Sequence, residues 1–430
     1  MTVALLVGGL LLLAALGVPL VFAIMASSIV TILVTRPGLP LEVVAQTFVG
    51  GIDSSVLLAI LFFFLAGELM NCSGITRRIV EFSATLVGHI RGGLGQVNVL
   101  SSLLFSGISG SAIADTAAVG TVMIPAMKER GYSAGFAAAL TQTSSIVGPI
   151  IPPSVPMIIY AILAEQSVGE LFVAGIVPGF CIAAALMFTV YIISRKRGYE
   201  RAEKRAGISE ITSGGARASA ALMMPIIIVG GILGGVMTAT EAGAVAVLYA
   251  VVIGLFVYRE LTPKLIWHSM LRAAKGASTV LVILGASSLF AWLVADQQIN
   301  KAVAEVVLSI STEPVMVLVL ITLVGLLVGM LMDPLAALII LVPVFLPVTA
   351  EVGIDPVHFG LVIVLTLMIG LCTPPVGYLI YLSAIIAKTR PEVVVRESMP
   401  FILCLVIVLG LCLFFPQLSL TLPEMFGYRG

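Results

Sequence analysis

Charge is what this sequence has least of. Asp, Glu, Lys and Arg together make up 10% of its 430 residues, against about 25% in an ordinary soluble domain. A water-soluble protein of this length could not cover its surface with so few charges. The 22 basic and 22 acidic residues cancel, so no long-range attraction to nucleic acid is implied. The five cysteines, Cys72, Cys181, Cys372, Cys404 and Cys412, form no C-x-x-C pair or ligand-like cluster, which argues against a disulfide framework or a zinc site. The three histidines, His89, His268 and His358, are far apart in sequence. No compact hydrolase, metalloprotease, phosphate-loop or dinucleotide signature is present. An enzyme is therefore not expected, and neither is a built-in ATPase.

What fills the chain instead is apolar sequence, 60% by composition, with a mean hydropathy of +1.19. Such a surface is stable in lipid. The clearest apolar segments are 3–34, 52–70, 93–127, 134–163, 171–193, 219–257, 277–295, 314–349, 357–387 and 398–415. A span needs about 20 residues, so several must fold back, with interior Pro and Gly marking expected points of return. About twelve crossing or re-entrant elements are expected. The first segment lacks a basic n-region and a small-residue cleavage site, so it reads as retained rather than as a signal peptide. Gly17-Val18-Pro19 and Thr238-Ala239-Thr240-Glu241 are candidate breaks within the two longest segments. Whether the first segment is a hairpin or one tilted helix decides the side of the amino terminus, and that stays open.

The longest hydrophilic stretch, 194–219, holds Arg195, Lys196, Arg197, Arg201, Lys204, Arg205 and Arg217. Its basic excess predicts a cytoplasmic linker. The sequences on either side resemble one another at an offset of 222: Gly8-Gly9 maps onto Gly230-Gly231, Gly107 onto Gly329, Pro125 onto Pro347, Gly131 onto Gly353, Gly148 onto Gly370, and Pro152-Pro153 onto Pro374-Pro375. An internal repeat follows, with residues 1–193 as one copy, 220–415 as the other and 416–430 as a tail. Loop charge reverses between the copies. Lys128-Glu129-Arg130 is basic where its counterpart holds Glu351 and Asp355, and Glu165 to Glu170 is acidic where its counterpart holds Lys388 and Arg390. Under the positive-inside rule this predicts inverted topology, as in secondary transporters with alternating access. The expected fold is an all-α polytopic membrane protein.

Two pairs of motifs carry the candidate chemistry. Gly148-Pro149-Ile150-Ile151-Pro152-Pro153-Ser154 cannot continue a helix, because each proline lacks an amide hydrogen and clashes with the preceding turn. Its partner is Gly370-Leu371-Cys372-Thr373-Pro374-Pro375-Val376-Gly377. A break at membrane depth is tolerated where it lines a cavity or lies within protein. Its freed carbonyls can hold a hard cation, and the restarting helix offers amides to an anion. Upstream of each break lies an expected hairpin, about 93–120 and about 315–342, with Phe105-Ser106-Gly107-Ile108-Ser109-Gly110-Ser111-Ala112 in the first and Gly329-Met330-Leu331-Met332-Asp333-Pro334 in the second. Asp115 and Asp333 are ionisable in apolar surroundings, which points to a cavity, an ion or a partner; for Asp115, helix capping is an equal alternative. Glu68, Glu241 and Asp296 read as capping or interface charges at least as readily as substrate contacts. No Lys or Arg lies between Arg91 and Lys128 or between Lys301 and Lys388. An anion held there would be met by helix ends, hydroxyls, bound cations or a residue reaching in from a loop.

The run from Phe105 through Gly120, both proline breaks and Thr238-Ala239-Thr240-Glu241-Ala242 together resemble the large membrane subunit of tripartite ATP-independent periplasmic (TRAP) transporters, the DctM-like family, over essentially the whole chain. Ala239 stands where many members carry proline, and Cys372 occupies a variable position. The resemblance implies a sodium-coupled elevator in which a moving domain carries solute past a fixed scaffold, with no cofactor beyond the coupling ions. It implies two partners: a small four-helix membrane subunit (DctQ-like), for which 430 residues leave no room here, and a periplasmic solute-binding protein (DctP-like). It implies the inner or cytoplasmic membrane of a bacterium or archaeon. It places sodium at Ser106, Ser109, Gly148, Ile151 and Pro153, and at Gly329, Gly370, Thr373 and Val376, several through backbone carbonyls. Solute is expected between the breaks, near Ser111, Ser154, Asp333 and Thr373. The expected substrate is a small organic acid: a dicarboxylate, 2-oxo acid, sugar acid or sialic acid. A binding-protein-independent carboxylate carrier or antiporter shares the repeats and breaks, and is the alternative.

Overall fold

The structure, a computed structural model, describes residues 4–199 and 205–428. Arg201 and Lys204 of the basic linker lie outside the described residues, as do the extreme ends of the first repeat and of the tail. Among the described residues every regular element is helical: α1 Gly9–Ala15, α2 Leu20–Thr35, α3 Glu42–Ile52, α4 Leu57–Cys72, α5 Ile75–Val87, α6 Gly93–Ser109, α7 Ala112–Glu129, α8 Ala134–Ser144, α9 Val155–Leu163, α10 Val168–Arg197, α11 Ile208–Leu233, α12 Ala239–Val252, α13 Pro263–Asp296, α14 Ile299–Ile310, α15 Pro314–Leu331, α16 Pro334–Glu351, α17 Pro356–Leu371, α18 Tyr378–Ala387, α19 Pro391–Phe414 and α20 Gln417–Met425. Seven of the described helices are long and apolar enough to cross a membrane, or eight if α3 and α4, bent by 54°, count as one span.

The repeat is visible helix by helix. Ala112–Glu129 and Pro334–Glu351 are displaced by 222 at both ends. The turns after both helices carry a glycine at positive φ, Gly131 and Gly353. Pro152-Pro153 and Pro374-Pro375, equivalent in register, are both cis. Equivalent helices also run in opposite directions. Arg197, the last residue of α10, pairs at 2.7 Å with Glu397 near the start of α19, and these repeat-related helices pack on one another. In the same way Arg272, early in α13, pairs with Glu68, late in α4, at 2.6 Å, while Gly51 of α3 faces Ser288 farther along α13. Antiparallel packing of equivalents is inverted topology.

Helices α8 and α17 form the centre. Every residue of α8 from Gly135 to Ser144, and of α17 from Val357 to Leu371, is buried. The outer helices present apolar side chains such as Phe22, Ile226, Leu248 and Phe256 outward, as a lipid-facing surface requires.

Local rules account for several differences from the sequence expectation. Pro125, Pro178, Pro225, Pro343, Pro347 and Pro400 sit inside helices rather than at points of return. Neighbouring helices and local adjustment re-satisfy the freed backbone groups at such kinks in a packed bundle. For the same reason the hairpin helices run on to Glu129 and Glu351. The stretch 194–219 is helical at both its ends, with α10 reaching Arg197 and α11 starting at Ile208, where Glu210 Oε2 accepts from the Gly207 amide at 3.1 Å. Residues 417–425 of the tail are also helical. The two candidate breaks are real. Gly17 takes φ +80° before α2. Thr238 caps α12 in a reciprocal box with Glu241, whose Oε2 accepts from the Thr238 amide at 2.8 Å.

Candidate functional site

Each hairpin tip meets the break of its own repeat. Gly110, at φ +59°, ends α6, and a Cβ there would lie 2.5 Å from the Pro153 carbonyl oxygen. A side chain would separate tip from break and also oppose the left-handed backbone. Gly148 lies against the Ser111 carbonyl. In the second repeat a Cβ on Gly370 would fall 2.6 Å from the Gly329 carbonyl carbon, and the Gly377 amide points to the Met330 carbonyl at 3.4 Å. The sequence thus uses glycine where two stretches of backbone must touch, leaving carbonyl oxygens of tip and break side by side.

Between the repeats is a narrow, partly open cleft of about 50 Å³. Its wall contains the starts of three helices: Ser111 to Ile113 of α7, Val155 and Pro156 of α9, and Asp333 to Leu335 of α16. Phe64, Met368 and Leu371 close it with apolar surface. A helix start presents amides without intrahelical partners and the positive end of the backbone dipole. The three dipoles bias the cleft toward an anion although no Lys or Arg lines it, even with several first-turn amides taken up by the caps Ser111, Ser154 and Asp333.

The residues singled out in the sequence divide into three groups. Ser111 and Asp333 line the cleft. Ser111 Oγ caps α7 by accepting from the Ala114 amide at 3.4 Å. Asp333 Oδ1 caps α16 by accepting from Leu335 and Ala336 at 2.9 and 3.4 Å. Ser154 and Thr373 do not line it. Ser154 is wholly buried, and its hydroxyl accepts from the Met157 amide at 3.3 Å and donates to the Pro149 carbonyl. Thr373 Oγ1 donates to the Ile369 carbonyl at 2.6 Å, so its proton serves the helix end. Ser106, Ser109, Gly148 and Pro153 are buried at the first tip and break, with Ile151 packed against Gly179. Ser106 Oγ donates to Leu103 at 2.5 Å. Gly329 and Gly370 touch, while Val376 is exposed.

Asp115 is not a cap, because Ser111 holds that position and Asp115 lies fully buried one turn further on. Glu68 and Asp296 are held in ion pairs with Arg272 and Arg36. Sequence reasoning missed the apolar wall of the cleft and the polar core around Asn98, Ser102, Thr141, Ser144 and Ser145. The hydroxyl-rich run Thr141-Gln142-Thr143-Ser144-Ser145 was the available signal for that core. Nothing in the sequence marked Phe64, Met368 and Leu371 among so many apolar residues.

Comparison with known proteins places this geometry. Residues 7–418 match the family described as "Tripartite ATP-independent periplasmic transporter, DctM component". The sialic acid TRAP transporter large permease protein SiaM of Vibrio cholerae is 41% identical over 416 residues, 96% of each chain. The 2,3-diketo-L-gulonate TRAP transporter large permease protein YiaN of Escherichia coli is 39% identical over 377 residues, 88% of each chain. Among solved structures, the YdaH transporter of Alcanivorax borkumensis superposes with a TM-score of 0.60 at 16% identity, covering 90% of this chain and 87% of that one, and so shares the fold. With the match spanning nearly its whole length, the chain belongs to the DctM family, the large permease subunits of TRAP transporters.

Proposed function

We propose that this subunit moves a small organic anion inward, coupled to sodium, by sliding the two hairpins and the two breaks as one body past a scaffold of outer helices. It works with a small membrane subunit and a periplasmic solute-binding protein, in the inner or cytoplasmic membrane of a bacterium or archaeon. The observation that carries this reading is the meeting of three helix starts on one cleft without a basic side chain. Such a site attracts a carboxylate through backbone dipoles. It also contains Asp333, whose negative charge would oppose the same carboxylate. A cation bound at the neighbouring tip–break carbonyls resolves the conflict, and makes anion binding depend on it. Ser106, Ser109, Gly148, Ile151 and Pro153 would hold one sodium, and Gly329, Gly370, Thr373 and Val376 a second. For Thr373 we assign the backbone carbonyl, the kind of ligand that Gly329, Gly370 and Val376 also offer, while its hydroxyl bonds the Ile369 carbonyl.

Relatives that carry sialic acid and 2,3-diketo-L-gulonate support an organic acid as the class of substrate. The test is uptake by proteoliposomes holding this chain and its small subunit, with the cognate binding protein outside. Uptake is expected to require both an inward sodium gradient and the soluble protein. Uptake without the soluble protein would instead make the chain a self-sufficient carrier, and uptake indifferent to sodium would remove the coupling.

A further inference from the structure

One buried charge is not used by the cleft. Asp115 of α7 is fully buried, and neither carboxylate oxygen has a hydrogen-bond partner. No Lys or Arg occurs between Arg91 and Lys128, and the ion pairs among the described residues all lie elsewhere. An uncompensated buried carboxylate costs several kcal/mol. The polar atoms beside it are the hydroxyls of Ser102 on α6 and Ser145 just after α8.

The surrounding hydrogen bonds have a direction. Ser145 Oγ donates to the Thr141 carbonyl at 2.7 Å. Ser144 Oγ donates to Asn98 Oδ1 at 3.0 Å, which makes Ser102 the donor in its 3.1 Å contact with Ser144. Asn98 Nδ2 donates to Thr141 Oγ1 at 2.7 Å, and Thr141 Oγ1 donates in turn to the Ala137 carbonyl at 2.8 Å. These hydroxyl protons have acceptors other than Asp115, while both serine oxygens lie beside its carboxylate. Two carboxylate oxygens and two hydroxyl oxygens are thus gathered at one buried point, which is the donor set of a hard cation. The repeat-equivalent positions are Ala337, Val324 and Leu367, so the duplicated fold does not itself require the cluster.

We propose that Asp115, Ser102 and Ser145 form a further site for a dehydrated sodium ion, inside the first repeat and separate from the carbonyl sites at the two tips. The inference rests on the sodium-coupled reading above, but the two can fail separately. Equilibrium binding of radiolabelled sodium to the purified large–small subunit complex in nanodiscs tests it. The wild-type complex is expected to bind one ion more than Asp115→Asn, with potassium failing to compete. Equal sodium stoichiometry and affinity in the two proteins would overturn the site while leaving sodium coupling intact. A wild-type complex that binds no sodium would overturn both. Should Asp115→Asn fail to fold, Ser145→Ala keeps the charge and removes one oxygen. It is expected to weaken the tightest sodium-binding phase severalfold, without lowering the melting temperature measured in the absence of sodium. Unchanged affinity in that variant overturns the site as well.

Discussion

The two hairpins share a backbone plan and differ in almost everything their side chains do. In the first, α6 carries Asn98, Ser101, Ser102, Ser106 and Ser109; the aligned residues of α15 are Leu320, Leu323, Val324, Val328 and Leu331. Asp115 aligns with Ala337, and Ser145 with Leu367. The first break lies in buried surroundings from Pro152 to Tyr160, whereas Val376, Tyr378 and Tyr381 at and after the second are exposed. Gly107 and Gly329, Gly148 and Gly370, and the two Pro-Pro pairs match across the duplication, whereas the tip glycine Gly110 aligns with Met332 and Gly377 with Val155. Buried polar groups do not match, because a membrane-protein core forms without them, and each must be satisfied or costs stability. The first copy therefore carries a polar core that its twin folds without. The second copy contributes mainly backbone, the Asp333 cap and an opening.

That contrast can be broken by moving its key residue. Ala337→Asp puts a carboxyl at the buried position equivalent to Asp115, with apolar residues where the hydroxyls would be. It is expected to destabilise the protein by about 3 kcal/mol or more, read as a large fall in melting temperature in detergent. A near-neutral result would mean that the second repeat hides a polar pocket of its own. Next in size is Gly370→Ala, which pushes a methyl against the Gly329 backbone. Overpacking of this kind costs about 1–3 kcal/mol, and sodium-dependent uptake should fall with it. Wild-type uptake from that variant would show that the tip–break contact in the second repeat is loose.

The ion pair between Arg272 and Glu68, which bridges repeat-equivalent helices, is partly exposed. A double-mutant cycle on thermal stability should give a coupling of under about 1 kcal/mol; a larger value would mean that the pair is shielded by lipid or by a partner. The smallest effect is expected from Thr373→Ala. Its hydroxyl serves the end of α17, and its carbonyl remains in the variant. The sodium dependence of uptake should be unchanged, and a marked loss would restore the hydroxyl as a ligand.

How much of this was legible in the sequence depended on whether backbone or side chains made the feature. Gly148 and Gly370, Pro152-Pro153 and Pro374-Pro375 announced the breaks because few residues satisfy such geometry, and duplication doubled the signal. Loop charges gave the opposed orientation that the Arg197–Glu397 pair displays. Interior prolines were less informative: Pro125 and Pro347 sit within helices, since a packed neighbour can repair what a proline removes. Side-chain roles were harder to read. Ser154 seemed free to meet a solute, but its hydroxyl is taken up locally by Pro149 and Met157. Asp115 offered no hint that its helix already had a cap in Ser111. Such facts depend on contacts across dozens of residues, which spacing along a chain does not encode.

Helix α13 has one more consequence. At 34 residues and about 1.5 Å of rise per residue, it is about 51 Å long, well beyond the roughly 30 Å of a hydrocarbon core. Its repeat partner, α3 with α4, is bent by 54° instead. A helix that exceeds its solvent layer has to lean or to extend into the headgroups. Lys264, His268, Arg272 and Lys275 near its start are suited to anchoring that end at the interface. The lean of α13 is then fixed by the helices packed along it, α2, α3, α4 and α16, and by its basic anchor, so that a thinner bilayer would load those contacts first.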